Sequence, residues 1–330
     1  MKIAVIGDGG WGTAAAKLLD SYGHQVTVWG PFEDYIDELR TTRTNPRYLP
    51  GIEFPASIQW TANMAEAVPQ ADLIVLAVPS KFFKPVCEQL VPHFNPTTLI
   101  VSLTKGICPE THKRMSEVAM ETLKTSRVVV LSGPSHAEEV ARRIPTAVTC
   151  ACADHETAIA AQNIFNGPYF RVYTTDDVVG VEIGGIVKNV LAIAVGVSDG
   201  VGFGDNTRAA LITRGLAELM RLGLKMGARA QTLSGLAGVG DLIVTCTSQH
   251  SRNHSVGERL GRGLDIETIL KSMQMVAEGV DNAQMLHELA TQYEVEMPIA
   301  DVVYRMCYDH LSAEDAIMLL TGRSAKPEYH

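Results

Sequence analysis

Residues 2–29 read KIAVIGDGGWGTAAAKLLDSYGHQVTVW, and this stretch decides the fold of the chain. An aliphatic run at 2–6 leads into the glycine-rich loop GDGGWG at 7–12, a helix-forming stretch follows, and 25–29 is typical of a second strand. A GxGxxG pattern alone is a weak signal, but a strand, glycine loop, helix and strand in this order are typical of a dinucleotide-binding Rossmann unit.

Each glycine of the loop has a physical role in that reading. Gly7 permits the tight turn, Gly9 lets backbone amides approach a pyrophosphate, and Gly12 allows the helix to pack closely. The N-terminus of the helix then faces the anion. A merely structural glycine turn is the alternative, which the flanking strands disfavour. We expect NAD or NADP as the cofactor.

The end of the second strand leaves the choice between NAD and NADP open. An acidic residue usually stands there to take the adenosine ribose hydroxyls, but residues 29–33 read WGPFE. Glu33 could reach back, and Arg40 or Arg43 could approach a 2′-phosphate. Solvated helix or loop charges are the simpler interpretation of all three.

Alternating strands and helices continue through the first half of the chain. This alternation predicts an α/β Rossmann-type domain with a parallel sheet and right-handed crossovers. Ligands bind beyond the carboxyl ends of such strands, where polar loops begin at Pro79, Leu103 and Ser132. The predicted strands are 2–6, 25–29, 73–78, 99–102, 128–131 and 170–173, and the predicted helices that follow the first one are 82–90, 112–123 and 154–165.

The pattern changes near Gly180, after which the periodic segments are helical. We therefore expect a dinucleotide-binding domain over 1–175 and an all-α substrate-binding and catalytic domain over 176–330. The predicted helices are 183–197, 208–226, 256–260, 266–271, 281–293, 298–308 and 313–320.

Composition excludes several classes of protein. A length of 330 residues favours two domains, and a net charge of −9 without a run of Lys or Arg argues against a nucleic-acid partner. Six scattered cysteines without a CxxC motif predict reduced thiols and no metal site. The polar start of the chain and the short, charge-containing apolar run around Lys188 predict a cytoplasmic protein that does not span a membrane.

Lys188 is the one ionisable side chain in the apolar stretch 183–197. An unpaired buried ammonium costs several kcal/mol. The lysine either snorkels to water or has a chemical role, and beside a bound dinucleotide that role would be proton transfer to the reacting oxygen. Burial lowers the pKa of a lysine and a nearby carboxylate raises it, so the sequence leaves the sign open. Asn189 could orient the substrate.

Two later features could complete such a site. Asp241 is a lone acid after a glycine-rich apolar run, and helix capping is its simpler interpretation. Arg252 lies in HSRNH, where a guanidinium with hydroxyl and amide neighbours suits a phosphate, although a solvated loop would look the same. Cys246 has no electropositive neighbour and fits a small core residue better than a nucleophile.

Together these motifs resemble the bacterial NAD(P)-dependent glycerol-3-phosphate dehydrogenase family. They run in family order and cover most of the chain, which makes the resemblance specific. The matching stretches are GDGGWGTA (7–14), NPRYLPGI (45–52), AVPS (77–80), TKGI (104–107), LSGPSHAEEV (131–140), GVEIGGIVKNVLAIAVGVSDGVGFGDNTRAALITRGLAEL (180–219), GLAGVGDLIVTCTSQHSRN (235–253) and VAEGV (276–280).

The resemblance implies reduction of dihydroxyacetone phosphate to sn-glycerol 3-phosphate for glycerophospholipid synthesis, by a homodimer. It implies that Lys188 is the catalytic proton donor and acceptor, with Lys105 and Asp241 as its polar partners. The substrate-contacting positions that it implies are Lys105, Gly133, Ser135, Lys188, Asp241, Ser251, Arg252 and Asn253. The implied cofactor contacts are Gly7, Gly9, Gly10, Trp11, Gly12, Lys105, Ala137, Arg252, Val276 and Glu278.

The chain departs from the family at Gly30-Pro31, where many bacterial members have a basic residue or histidine. A dehydrogenase for another hydroxy acid or sugar acid is the near alternative, against which the loop at 251–253 argues. A nicotinamide-sensing regulator is the non-enzymatic alternative, and it would have no reason to keep Lys188, Asp241 and Arg252 together.

Overall fold

The computed structural model describes residues 1–273, 277–325 and 327–328, and the chain divides into two compact units. The sheet unit comprises Met1–Ile186 and Gly227–Asp241, and the helical unit comprises Val187–Met226 and Leu242–His330. The chain therefore passes from one unit to the other three times.

An eight-stranded sheet organises the sheet unit, in the order β10-β9-β8-β7-β6-β1-β2-β5. All neighbouring strands are parallel except β8 and β9, and β3 pairs with β4 in a separate antiparallel ribbon. The Rossmann-type, largely parallel sheet is confirmed. The strands are β1 (Lys2–Ile6), β2 (Gln25–Trp29), β3 (Thr44–Asn45), β4 (Leu49–Glu53), β5 (Gln59–Thr61), β6 (Leu73–Leu76), β7 (Leu99–Ser102), β8 (Val128–Ser132), β9 (Thr146–Ala151) and β10 (Phe170–Thr175).

The central strands are apolar on both faces because helices cover both faces. In β1, Ile3 and Val5 belong to one hydrophobic cluster, whereas Ala4 and Ile6 belong to the other. The helices that begin in the sheet unit are α1 (Gly10–Ser21), α2 (Glu33–Thr42), α3 (Met64–Ala67), α4 (Ser80–Leu90), α5 (Met115–Leu123), α6 (Ala137–Ala141), α7 (His155–Phe165), α8 (Val178–Val201), α10 (Ala230–Leu233) and α11 (Asp241–Thr247).

The helical unit confirms the predicted all-α second half of the chain. Its described residues contain the later part of α8 and most of α11. Its remaining helices are α9 (Asp205–Lys225), α12 (Arg252–Gly261), α13 (Ile266–Lys271), α14 (Glu278–Gln292), α15 (Pro298–Tyr308) and α16 (Ala313–Thr321).

The expected boundary at residue 175 coincides with the end of β10, but the compact sheet unit extends further. The first turns of α8 pack against this unit: a Cβ on Gly184 would lie 2.3 Å from the carbonyl oxygen of Ala237. Glu182 accepts hydrogen bonds from the Ser116 amide at 2.9 Å and from Arg114 Nη1 at 2.8 Å. Because these contacts are distant in sequence, a break in periodicity could not locate the division.

Residues 230–247, which the sequence pattern left unassigned, are mostly helical. α10 leads into a π-helical turn, Leu236–Gly240, and then into α11. A Cβ on Gly238 would lie 1.9 Å from the carbonyl oxygen of Leu233, so this close turn depends on glycine. Residues 235–240 contain three glycines, whose low helix propensity concealed the helical segment from its sequence pattern.

Among the described helices, α8 is long and apolar enough to cross a membrane by length and composition alone, but 83% of its most apolar window is buried inside the structure. Such burial is typical of the core helix of a globular protein.

Candidate active site

The glycine loop after β1 has the geometry that dinucleotide binding requires. Gly7 has φ +126°, and a Cβ on it would lie 2.4 Å from the carbonyl oxygen of Ala77. A Cβ on Gly12 would lie 2.1 Å from the carbonyl oxygen of Gly7, so the first turn of α1 sits directly on the loop. By contrast, no atom of the described residues lies within 4 Å of the position of a Cβ on Gly9. The loop is closed toward the protein and open at Gly9, where a pyrophosphate would approach the N-terminus of α1.

The other cofactor positions of the sheet unit cluster around the start of α1. A Cβ on Gly10 would lie 2.5 Å from the carbonyl oxygen of Tyr48 and 3.8 Å from the Ala137 side chain, which brings the start of α6 beside the loop. The indole of Trp11 packs at 6.4 Å from the ring centroid of Phe170 and belongs partly to the core. Trp11 therefore anchors α1 through its side chain, whatever its backbone contacts.

Lys105 and Asp241 form a buried ion pair at the carboxyl edge of the sheet. Lys105 Nζ lies 2.5 Å from Asp241 Oδ2 and donates to the Gly133 carbonyl oxygen at 3.3 Å. The Asp241 side chain is 1% exposed and that of Lys105 is 15% exposed, so little water screens the pair. Ser135 Oγ donates to the same carbonyl oxygen of Gly133 at 3.0 Å. The structure thus brings together four residues that the sequence predicted for the site. Two of them, Lys105 and Asp241, are 136 positions apart in the sequence.

The loops that follow β6 and β7 are held together by a buried hydrogen bond. Thr104 Oγ1 donates to the Val78 carbonyl oxygen at 2.7 Å. This bond fixes the backbone beside Lys105, so the lysine extends from a rigid loop. Rigid support of this kind keeps a polar side chain oriented for a ligand.

Lys188 lies in the middle of α8 and is only 8% exposed. Its Nζ donates to Thr245 Oγ1 at 3.0 Å, within the helical unit. Aliphatic neighbours such as Val187, Val190 and Leu191 are almost fully buried. The ammonium is therefore held by a partner within the helical unit, as a residue with a chemical role requires.

A chain of buried amide hydrogen bonds fixes the predicted substrate contacts of the helical unit. Asn253 Nδ2 donates to Asn189 Oδ1 at 2.9 Å, and the Gly279 amide donates to Asn253 Oδ1 at 2.9 Å. Ser251 caps α12 by accepting from the His254 amide at 3.2 Å. The α12 N-terminus and the start of α14 are thereby joined through Asn253.

Three further residues, Arg252, Glu278 and Val276, were predicted to contact the substrate or the cofactor. Arg252 is an exposed first residue of α12, and Glu278 is the first residue of α14, one position before Gly279. Val276 lies outside the described residues. All six cysteines are buried and lie outside disulfides, Cys246 among them, as the predicted reduced state requires. Among the residues that the structure describes, no three His, Cys, Asp or Glu side chains are grouped to hold a metal ion.

Thr245 and Asn45 have roles that no sequence pattern predicted. Thr245 follows Asp241 by four residues in α11, and that spacing was the available signal. Asn45 is fully buried and donates to the Asp8 carbonyl oxygen at 2.9 Å and to Thr13 Oγ1 at 3.1 Å. Asn45 therefore holds the glycine loop from a segment that is distant in sequence, and no local sequence pattern predicts such a contact.

Two family models match consecutive parts of the chain. The N-terminus of NAD-dependent glycerol-3-phosphate dehydrogenase matches residues 2–158, and the C-terminus of the same family matches residues 177–318. A glycerol-3-phosphate dehydrogenase (NAD(P)+) of Shouchella clausii (strain KSM-K16) is 47% identical over 331 residues, which cover 99% of this chain and 97% of the relative.

Solved structures agree with these matches. The crystal structure of glycerol-3-phosphate dehydrogenase from Coxiella burnetii is 39% identical, with a TM-score of 0.93 over 97% of this chain and 98% of that one. The structure of glycerol-3-phosphate dehydrogenase from Saccharomyces cerevisiae is 28% identical, with a TM-score of 0.81 over 97% of this chain and 99% of that one.

Proposed function

The chain belongs to the NAD-dependent glycerol-3-phosphate dehydrogenase family, and on that premise we propose that Lys188 moves the proton when dihydroxyacetone phosphate is reduced to sn-glycerol 3-phosphate. The protein is an NAD(P)-dependent oxidoreductase. The observation that supports the proposal most strongly is the ammonium of Lys188, buried in an apolar helix and fixed 3.0 Å from the Thr245 hydroxyl.

The coenzyme fits the sheet unit. Gly7 and Gly12 close the loop onto α1, while Gly9 leaves its outer side open, so the first amides of α1 would hold the pyrophosphate. When bound, the reduced nicotinamide supplies a hydride to C2 of the ketone. We assign Gly10, Trp11, Lys105, Ala137, Arg252 and Glu278 to the same coenzyme by the family motifs that they match; Val276 carries the same assignment from sequence alone.

Lys188 acts as general acid in the direction of reduction. As C2 becomes tetrahedral, negative charge develops on its oxygen, and an ammonium supplies both a proton and electrostatic stabilisation there. In the oxidation of glycerol 3-phosphate the neutral amine removes the hydroxyl proton. The Thr245 hydroxyl accepts a hydrogen bond from Nζ and limits the rotation of the lysine, which places the proton reproducibly.

Lys105 and Asp241 serve as the polar partners of the reaction on the sheet unit. A salt bridge that is almost completely buried needs further hydrogen bonds to offset desolvation, and the Gly133 carbonyl supplies one to Lys105. The pair is therefore fixed rather than fluctuating. We propose that it orients the hydroxyl groups of the substrate, with Gly133 and Ser135 beside it.

The phosphate of the substrate is assigned to the start of α12. Arg252 is exposed there and offers a planar fork that matches a phosphate dianion. Ser251 and Asn253 flank it, and Asn253 is held by Asn189 and Gly279. The positive end of α12 adds to the attraction for an anion.

We also propose the cellular setting that the family membership favours. The product supplies glycerophospholipid synthesis, the protein works in the cytoplasm, and it assembles as a homodimer. Sedimentation of the purified chain tests the dimer: a species of 35.7 kDa at all concentrations would rule it out.

The decisive assay follows NADH and NADPH oxidation with dihydroxyacetone phosphate beside unphosphorylated dihydroxyacetone. We expect rapid turnover only with the phosphorylated ketone, because the start of α12 supplies much of the binding energy. Turnover of a 2-keto acid in its place would favour the hydroxy-acid alternative. Nucleotide binding without turnover of any of these ketones would favour the regulator.

A further inference from the structure

The glycine loop contains a carboxylate that lies over the end of β2. Asp8 Oδ2 is 2.4 Å from the position that a Cβ on Gly30 would take, and Asp8 Cβ is 2.9 Å from it. The Asp8 side chain therefore fills the volume where a side chain of residue 30 would begin. In a Rossmann fold this is where the acid at the end of the second strand meets the adenosine ribose.

The loop that carries Asp8 is held in place by buried hydrogen bonds. Asn45 Nδ2 donates to the Asp8 carbonyl oxygen at 2.9 Å, and Tyr35 Oη donates to Asn45 Oδ1 at 2.6 Å. The Gly7 amide donates to the Trp29 carbonyl oxygen at 2.9 Å, which ties the loop to the end of β2 itself. The carboxylate is thus presented from a fixed backbone.

Asp8 also has an unused acceptor. Its Oδ2 is buried and accepts no hydrogen bond from any residue that the structure describes. Burial raises the pKa of Asp8 to about 6, and its own backbone amide and the charge of Arg47 offset only part of that effect. A buried polar atom without a partner is uncommon in native proteins, and a hydroxyl group of a ligand would supply the missing donor.

The cations that surround this position are engaged with the protein. Arg40 Nη2 donates to the Trp60 carbonyl oxygen at 3.0 Å, and Arg43 Nη1 donates to the Ile58 carbonyl oxygen at 2.8 Å. Arg47, the cation whose charge acts on Asp8, stacks over the Tyr35 ring at 4.3 Å from its centroid and lies 3.8 Å from Glu38. Each arginine of this group therefore already has a partner within the sheet unit.

We propose that Asp8 replaces the missing acid of β2: its carboxylate accepts hydrogen bonds from the adenosine ribose hydroxyls and repels a 2′-phosphate, so that the enzyme selects NAD over NADP. The inference rests on the dinucleotide site proposed above and names the residue that decides between the two coenzymes. Asp8 touches the coenzyme and determines specificity, and it takes no part in the proton transfer.

The test is calorimetric titration of the wild-type protein and the Asp8→Asn variant with NADH and NADPH, and with the fragments 5′-AMP and adenosine 2′,5′-bisphosphate. We expect the wild-type protein to bind NADH at least about tenfold more tightly than NADPH, since a hydrogen bond to a charged group contributes about 1.5–3 kcal/mol. Asp8→Asn should reduce that ratio at least about tenfold, and the fragments should show the same change.

Two further variants keep the test decisive. Gly30→Ala places a methyl group against the Asp8 carboxylate and should displace it, so the same loss of discrimination is expected without changing Asp8 itself. Glu33→Gln alters the other acid near the end of β2 and should leave the ratio unchanged. Thermal unfolding confirms that each variant is folded.

Several results would overturn the inference. Equal or tighter binding of NADPH by the wild-type protein would do so, and so would an unchanged ratio in both Asp8→Asn and Gly30→Ala. A change in Glu33→Gln alone would transfer the role to Glu33. If neither dinucleotide bound the wild-type protein, the proposed site itself would be wrong, a failure that differs from loss of discrimination.

Discussion

The two units present their functional groups in different ways. The sheet unit offers a loop whose shape depends on hydrogen atoms at Gly7 and Gly12 and whose ligand contacts are mainly backbone amides. The helical unit offers side chains, Lys188 with Thr245 and Asn189 with Asn253, each fixed by a buried hydrogen bond. We infer that nucleotide binding is sensitive to added atoms, whereas proton transfer is sensitive to the identity of a few side chains.

Glu182 and Asp8 of the sheet unit show why the partners of an acid matter more than its burial. Burial raises the pKa of Glu182 and of Asp8 alike. The Glu182 carboxylate has hydrogen-bond donors, since Ser116 Oγ donates to it at 2.7 Å and Arg114 Nη1 donates to it at 2.8 Å. Asp8 Oδ2 has no such donor among the described residues. A raised pKa by itself therefore does not distinguish a structural carboxyl from one that awaits a ligand.

The largest effect is expected for Lys188→Ala in the helical unit. Removal of a general acid typically costs a factor of about 10²–10⁴ in kcat. NADH affinity should remain within about twofold, because the backbone of the sheet unit is untouched. Steady-state kinetics and calorimetry measure the two quantities. Lys225→Ala, at an exposed position at the end of α9, is the matched control and should leave both unchanged. Wild-type kcat in Lys188→Ala would mean that the lysine only packs.

Asp8→Asn tests the one side chain of the glycine loop that we propose as a ligand contact, in a unit whose other ligand contacts are mainly backbone amides. The folded pKa of Asp8 is about 6, above the value of 3.8 that an unperturbed Asp has, so the protonated form stabilises the fold. That contribution is complete below pH 3.8 and is lost as the pH rises through about 6. The neutral variant should therefore gain up to about 3 kcal/mol over the wild-type protein at pH 8 and little at pH 4.

Denaturant unfolding from pH 4 to pH 8 measures this difference. Asp34→Asn changes an exposed acid in the first turn of α2 and should produce a small difference that does not vary in this way. A pH-independent difference for Asp8→Asn would contradict the cost assigned to the charged carboxylate.

A pair of glycine substitutions separates packing from ligand approach within the loop. Gly12→Ala forces a Cβ to 2.1 Å from the Gly7 carbonyl oxygen, so we expect a loss of about 1–3 kcal/mol in the free energy of unfolding together with weaker NADH binding. Gly9 has φ −69°, which alanine adopts freely, and its Cβ would meet no described atom. Gly9→Ala should weaken NADH binding with no loss of stability. Unaltered affinity in Gly9→Ala would show that the pyrophosphate lies elsewhere.

The smallest effect is expected for Thr245→Val, which keeps the shape of the side chain and removes the acceptor of Lys188 Nζ. Loss of a hydrogen bond to a charged group costs about 1.5 kcal/mol, or about tenfold in kcat. Thr245→Ser restores the hydroxyl and should recover most of the rate, whereas a purely packing role would make the serine variant no better than valine. An unchanged KM for NADH is expected in both variants.

Local patterns predicted the elements whose signals are contiguous. Short windows of sequence contain the signals of the glycine loop, of the buried strands β1, β2, β6, β7 and β8, and of the apolar core of α8. The short edge strand β5 was missed because three residues carry no period. Strand β9, TAVTCA, was missed although its Thr and Val residues favour a strand. The start of α11 was missed because the turn before Asp241 is rich in glycine, which has a low helix propensity although this segment is helical.

The sequence by itself determined the class of fold, the family, the glycine loop and the identity of Lys188 as the one ionisable residue in the apolar stretch 183–197, because each of these resides in contiguous residues. Only the tertiary structure decided the partners. Lys105 meets Asp241 across 136 positions, and Asp8 meets Gly30 at the end of a neighbouring strand. Hydrogen bonds and ion pairs require atoms to lie within about 3 Å, and the paths of loops between strands set those distances. For this reason the sequence showed that an acid was missing from the end of β2, and the fold showed which acid lies there.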